Sequence, residues 1–235
     1  MKKIFIFLIS FILSANAFAQ GKRVALIVGN ASYAKSPLVN PLNDADDVGS
    51  KLKGLGFTIV KAKDCRTKRE LRKKLEEFCS LASNADAGLF FYSGHGMQLT
   101  KTGENYLIPT EAEMTSEADV EEECIGLNYI LNKMDESGIN MKIAIIDACR
   151  DNPFRTWYRG GSKGLSTSVE APSGTFIAFA TSANNVAADG NNYRNSPFTA
   201  ALLSALNSNN LEINNVFTEV KKIVRQRTNG EQRPW

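Results

Sequence analysis

From residue 22 onward, short apolar runs alternate with stretches in which apolar residues recur every three or four positions. Residues 24–28 (VALIV) form a compact run rich in β-branched side chains that stops at Gly29-Asn30, the pattern of a buried strand entering a loop. Residues 42–54 place Leu42, Ala45, Val48 and Leu52 at helical spacing, with Gly54 and Gly56 as stop signals. A second strand is expected over 57–60. Thr67 then caps a helix carrying Leu71, Leu75, Phe78 and Leu81 on one side, and Glu70 is spaced for a reciprocal capping box.

Residues 87–92 (AGLFFY) make a third strand that runs straight into SGHG. After a mostly polar connection, residues 127–134 suggest a helix, and 142–146 (KIAII) a strand leading into Asp147-Ala148-Cys149-Arg150. A Gly-, Ser- and Arg-rich loop covers about 151–174. A fifth strand follows over 176–180, and helices over 197–207 and 213–227. Strands and helices in alternation predict an α/β fold, a mainly parallel sheet with helices on both faces. Such sheets collect reactive groups outside the carboxyl ends of their strands, where SGHG and DACR both fall.

The first twenty residues depart from this pattern. Lys2 and Lys3 precede an apolar run over 4–13, and Ala17-Phe18-Ala19 closes it, the three-part layout of a secretory signal peptide cleaved after Ala19. The run falls short of the ~20 residues a bilayer span needs. The expected organisation is therefore a leader over 1–19 and one domain over 20–235, periplasmic or extracellular, with no membrane contact in the mature form. Loss of Lys2 and Lys3 lowers the formal charge of +3 by two. This near-neutral balance gives no argument for a nucleic-acid partner, and the basic stretch 68–74 (KRELRKK) reads as the solvated face of a helix.

The cysteines Cys65, Cys79, Cys124 and Cys149 show no CxxC spacing, so a zinc site of the usual kind is not expected and no metal or cofactor is assigned. The acidic stretch 117–123 (EADVEEE) invites a calcium reading but lacks the spacing of a calcium loop, and a solvated loop is the expectation.

His95, inside SGHG, is the single histidine of the chain. An imidazole can favour a thiolate or accept its proton during attack, so a Ser or Cys is the natural partner. Cys149 occupies the equivalent place on another strand, whereas Cys65 follows an edge-like strand and Cys79 lies inside a helix. His95 precedes Cys149 by about fifty residues, the offset that accompanies a caspase-type cysteine.

Segments 23–33 (RVALIVGNASY), 41–48 (PLNDADDV), 89–96 (LFFYSGHG) and 143–154 (IAIIDACRDNPF) occur in the order that resembles the caspase-like cysteine peptidases, in particular the bacterial metacaspase-like and paracaspase-like branch. Segments 179–190 and 196–203 support the resemblance. It implies a caspase-like three-layer sandwich whose large and small parts are joined by the 151–174 loop. It also implies that Cys149 attacks a scissile carbonyl, that His95 handles protons, and that the N–H groups of Gly96 and Cys149 hold the oxyanion. Protein or peptide chains would be the substrates. Glycine at 94 and 96 would let backbone approach the substrate.

Asp147, two residues before the cysteine, and Asp44 match positions where that branch places acids for the substrate's P1 side chain, and Asp189 is a looser third. Carboxylates in a half-closed pocket favour Arg or Lys and repel Asp. Alternatively, Asp44 could cap its helix and Asp147 could bond loop amides. Arg155, Arg159 and Lys163 are candidate self-cleavage points. Relatives continue into a further strand where this sequence reaches Arg233-Pro234-Trp235, which leaves the sheet edge open. The rival functions are a caspase-like scaffold without turnover and a flavodoxin-like small-molecule binder, although Gly29-Asn30-Ala31-Ser32 makes a poor phosphate loop.

Overall fold

A computed structural model describes residues 21–99, 102–149, 165, 169–180, 193–208 and 212–235, Cys149 by its backbone alone. The leader over 1–19, Asp189, Arg155, Arg159 and Lys163 lie outside the described residues.

The parallel sheet is β2 (Thr58–Lys63), β1 (Arg23–Gly29), β3 (Ala87–Gln98), β6 (Met141–Cys149) and β7 (Thr175–Phe179), in that spatial order. Two short strands, β4 (Asn105–Leu107) and β5 (Ile125–Gly126), extend it antiparallel from the far end of β3. The helices are α1 (Pro41–Gly54), α2 (Lys68–Leu81), α3 (Glu117–Glu123), α4 (Leu127–Glu136), α5 (Pro197–Ala205) and α6 (Ile213–Arg227). The α/β fold with helices on both faces is as expected.

Strand alternation sorts the core into two layers. In β1, Val24, Leu26 and Val28 join Leu71, Leu75 and Phe78 of α2 and Ile130 and Met134 of α4. Ala25 and Ile27 join Val48 of α1, Phe198 and Leu202 of α5, and Val220 of α6 on the other face. A strand buried on both sides has no polar positions, which is why VALIV reads as an unbroken apolar run. Gly29 ends β1 directly beneath α1, where a Cβ would stand 2.4 Å from the Pro41 carbonyl oxygen.

Several local expectations need correction. In α1 the buried stripe is Asp44, Ala45, Val48 and Leu52, with Leu42 only half-buried, so an acid occupies a core-facing position. Leu81 ends α2 in solvent, 45% exposed. Thr67 caps α2 as expected by accepting the Glu70 N–H, but Glu70 turns its carboxylate to Arg66 instead of closing the box. The acidic 117–123 stretch is helix α3, not a loop: Ser116 and Asp119 form the capping box there. Outside β7, Phe179 and Trp235 exchange backbone hydrogen bonds at 2.7 and 3.0 Å, so Trp235 pairs with part of that edge.

Candidate active site

β3 is longer than the apolar run predicts: it carries SGHG within it, and β6 likewise continues through Cys149. Its pairing with β1 ends at the Gly29 and Ser93 rung, its pairing with β6 ends at His95 and Cys149, and its pairing with β4 begins at Gly96 and Leu107. His95 stands at this change of partners. Register partners on adjacent strands lie about 4.8 Å apart, so the sheet brings the backbones of His95 and Cys149 together although they are distant in the chain.

The imidazole is 1% exposed. Its Nε2 lies 2.7 Å from the Ser36 carbonyl oxygen, and the Tyr33 ring packs against it at 4.4 Å between centroids, tilted by 57°. A carbonyl oxygen only accepts, so Nε2 carries the proton in this contact and Nδ1 is the basic nitrogen of the neutral ring.

Ser36 adopts a left-handed conformation, φ 59°, uncommon for a residue with a side chain. The loop that holds it there is anchored by Asp64, whose carboxylate accepts the N–H groups of Ala31 and Ser32 at 2.8 and 2.9 Å and the Ser32 hydroxyl at 2.7 Å. Partial burial acts to raise the Asp64 carboxyl, but these donors outweigh it and hold it below the usual carboxylate range.

Cys65 and Cys124 are buried and Cys79 is half-buried, all as free thiols. Burial pushes the Cys65 thiol up to about 11 and raises Cys79 and Cys124 as well. None of these three suits a nucleophile that must work as thiolate.

Gly96 follows the His95 rung. The Ile108 N–H bonds to the His95 carbonyl on the β4 side, so alternation along the strand turns the Gly96 N–H toward β6. The glycines serve packing more directly than expected. A Cβ at Gly96 would meet Ala148 and Leu165 at 3.2 Å, and one at Gly94 would meet the hydroxyls of Tyr92 and Tyr33 at 2.7 and 2.8 Å.

Asp44 and Asp147 come together behind this rung, 0% and 4% exposed, deeper than a half-closed pocket suggests. Asp44 caps nothing. Its Oδ2 accepts the Ser93 hydroxyl at 3.0 Å, and its Oδ1 accepts the Ser196 N–H and the Asn195 side-chain amide, each at 3.1 Å. Asp147 accepts from two hydroxyls: its Oδ2 takes Ser196 Oγ at 2.5 Å and Thr199 Oγ1 at 2.8 Å. Ser196 is also the N-cap of α5, accepting the Thr199 N–H at 2.9 Å, so the positive end of a helix faces the acids. Burial, and then the neighbouring Asp147 charge, push the Asp44 carboxyl up to about 8.

The segment that supplies Ser196 is stitched to α1. Arg194 makes a bidentate pair with Asp47, both distances 2.8 Å, and its guanidinium holds the Asp47 carboxyl below the usual range. Asn40 donates to the Tyr193 carbonyl at 2.6 Å. Sequence reasoning missed Ser36, Tyr33, Tyr92, Ser93, Asn195 and Ser196, although Tyr33, Tyr92, Ser93 and Ser196 lie in segments that carried the resemblance. Among the described residues no group of three or more His, Cys, Asp or Glu side chains could hold a metal ion.

A parallel α/β sheet whose strand ends pair one histidine with one cysteine, beside two buried acids, defines the class of caspase-like α/β proteins. The caspase-domain family profile matches residues 22–235, and the chain belongs to that family. Over 129 residues it is 31% identical to mucosa-associated lymphoid tissue lymphoma translocation protein 1 of Homo sapiens, and equally so to its homolog in Mus musculus. The match covers 54% of this chain and 15% of each relative.

Proposed function

We propose that the protein is an exported cysteine endopeptidase in which Cys149 and His95 form the catalytic dyad and cleavage follows Arg or Lys. The observation that carries this reading is the shared rung of His95 and Cys149 in a chain of the caspase-domain family. In the reaction, the Cys149 sulfur forms a bond to the scissile carbonyl carbon while the peptide C–N bond breaks. His95, with Nε2–H held on Ser36, uses Nδ1 to take the thiol proton and deliver it to the leaving amine. Water then hydrolyses the thioester. The N–H groups of Gly96 and Cys149 are the donors this reading assigns to the negative oxygen.

The P1 assignment is supported by Asp44 and Asp147. Two buried carboxyls, one held largely protonated by its burial and then by its neighbour's charge, form a site that a guanidinium or ammonium group stabilises and a carboxylate does not. Asp189 is a candidate third acid, and Arg155, Arg159 and Lys163 are candidate self-cleavage points. The leader over 1–19 supports export to the periplasm or the extracellular space. No cofactor enters the mechanism. Among the described residues no helix is long and apolar enough to cross a membrane.

The test is hydrolysis of reporter peptides with Arg, Lys or Asp at P1 by the purified protein, beside Cys149→Ala and His95→Ala. Turnover of Arg and Lys peptides, lost by at least about 10³-fold in both variants, is expected. Faster cleavage after Asp refutes the specificity, equal measurable rates in wild type and Cys149→Ala refute the dyad, and no turnover of any peptide by wild type favours the scaffold.

A further inference from the structure

The β1 ladder stops two residues short of His95, and two phenols take its place. The last bond on that side runs from the Asn30 N–H to the Ser93 carbonyl, after which the chain turns away through Ala31 and returns as the loop bearing Tyr33 and Ser36. At His95 the backbone N–H donates to the Tyr33 hydroxyl at 2.9 Å, and the Tyr92 hydroxyl donates to the His95 carbonyl at 2.7 Å. Tyr33 passes its own proton to the Ile108 carbonyl at 3.0 Å and lies 3.2 Å from Tyr92 Oη. Each phenolic proton thus has an acceptor, and Tyr33 Oη keeps a lone pair for the His95 N–H. Gly94 leaves the space these two hydroxyls occupy.

We propose that Tyr33 and Tyr92 form a clamp on the backbone of His95, with Tyr33 a positioning residue that couples the histidine to the Ser36 loop. The proposal rests on the reading of His95 as the proton-handling residue. The same Tyr33 holds the His95 amide through its hydroxyl and the imidazole face through its ring, and it lies three residues from the carbonyl that fixes Nε2. The flanking glycines place few steric limits on the backbone there, so external bonds must set its direction. A ring fixed in this way presents one tautomer, with Nδ1 basic. Burial, reinforced by Tyr33, raises the Tyr92 phenol well above its ordinary value, so it stays a donor at any pH the enzyme meets.

The single histidine makes the clamp directly readable, because one imidazole gives one set of ring-nitrogen signals. The experiment records long-range proton–nitrogen NMR spectra on tag-free protein, with kcat and KM on an Arg-P1 peptide, for wild type, Tyr33→Phe, Tyr92→Phe and the remote control Tyr129→Phe. Wild type and control are expected to show the Nε2–H tautomer. Tyr33→Phe is expected to show mixed tautomers and a kcat at least tenfold lower with KM within twofold. If Tyr33→Phe does not fold, Tyr92→Phe carries the same expectation through the freed carbonyl. A wild-type imidazole spectrum in the folded phenylalanine variants overturns the clamp, whatever their rates. A changed spectrum in a protein whose wild type cleaves nothing leaves the clamp standing and removes the protease reading instead.

Discussion

Asp44 and Asp147, one from a helix and one from a strand, are tied together by a single residue: Ser196 gives its N–H to Asp44 at 3.1 Å and its hydroxyl to Asp147 at 2.5 Å. A basic P1 side chain would place a positive charge beside these two acids. Replacing either acid, as Asp44→Asn or Asp147→Asn, should therefore lower kcat/KM for Arg-P1 peptides by about 10²-fold, mainly through KM, since close charge pairs are worth a few kcal/mol at intermediate dielectric. Steady-state kinetics on matched Arg-P1 and Lys-P1 peptides measures this; an unchanged KM in both variants would count against the assignment.

The same pair should make the affinity for a basic P1 side chain depend on pH. With no cation bound, Asp44 holds its proton up to about pH 8, whereas a bound guanidinium favours the ionised form. Binding should release a proton, so KM for Arg-P1 peptides should fall as pH rises from 6 to 8 and level off above. In Asp44→Asn that slope should vanish. Peptide titrations in buffers of different ionisation heat detect the released proton independently.

Stability carries the opposite sign. The folded-state value of about 8 for Asp44 lies above the ordinary 3.8, so the folded chain keeps a proton that the unfolded chain has released. The stabilising contribution is full below the lower value and is lost as pH climbs through the higher one. Asp44→Asn removes the titration, and its melting temperature should exceed that of wild type by a few degrees at pH 8–9 with a smaller gap at pH 5. Thermal melts across that range decide it.

Two glycine substitutions separate packing from chain stiffness. Gly94→Ala puts a methyl 2.7 Å from the Tyr92 hydroxyl and should cost about 2 kcal/mol, with activity reduced through His95. Gly54→Ala, at the end of α1 with nothing within 4 Å, should be neutral or stabilising by up to about 0.5 kcal/mol. Urea unfolding of both variants compares them directly; equal midpoints would contradict the contact around Gly94.

Much of the architecture was legible because strand and helix periodicities are local. VALIV and AGLFFY could only be strands buried on both faces, and the Leu71, Leu75 and Phe78 spacing could only be one side of a helix. The misreadings arose where a distant partner overrode the local pattern. Glu70 is spaced for a capping box yet takes Arg66, and SGHG looks like a loop until β4 and β6 make it the end of a strand. The acidic 117–123 segment looks like solvated loop, but its terminal Ser116 and Asp119 close a cap on each other and wind it into α3.

The sequence by itself determined the order of the five parallel strands and of α1, α2, α4, α5 and α6, the pairing of one histidine with one cysteine as candidate chemistry, and the presence of acids at 44 and 147, because side-chain type and short-range spacing are written along the chain. Only the tertiary structure decided that His95 and Cys149 share a rung, that Asp44 faces the core instead of capping its helix, and that Ser36, Tyr33, Tyr92 and Ser196 complete the site. Those residues act through single hydrogen bonds between segments far apart in the chain. Such bonds leave no period in the sequence and exist only once the sheet has brought their donors and acceptors within about 3 Å.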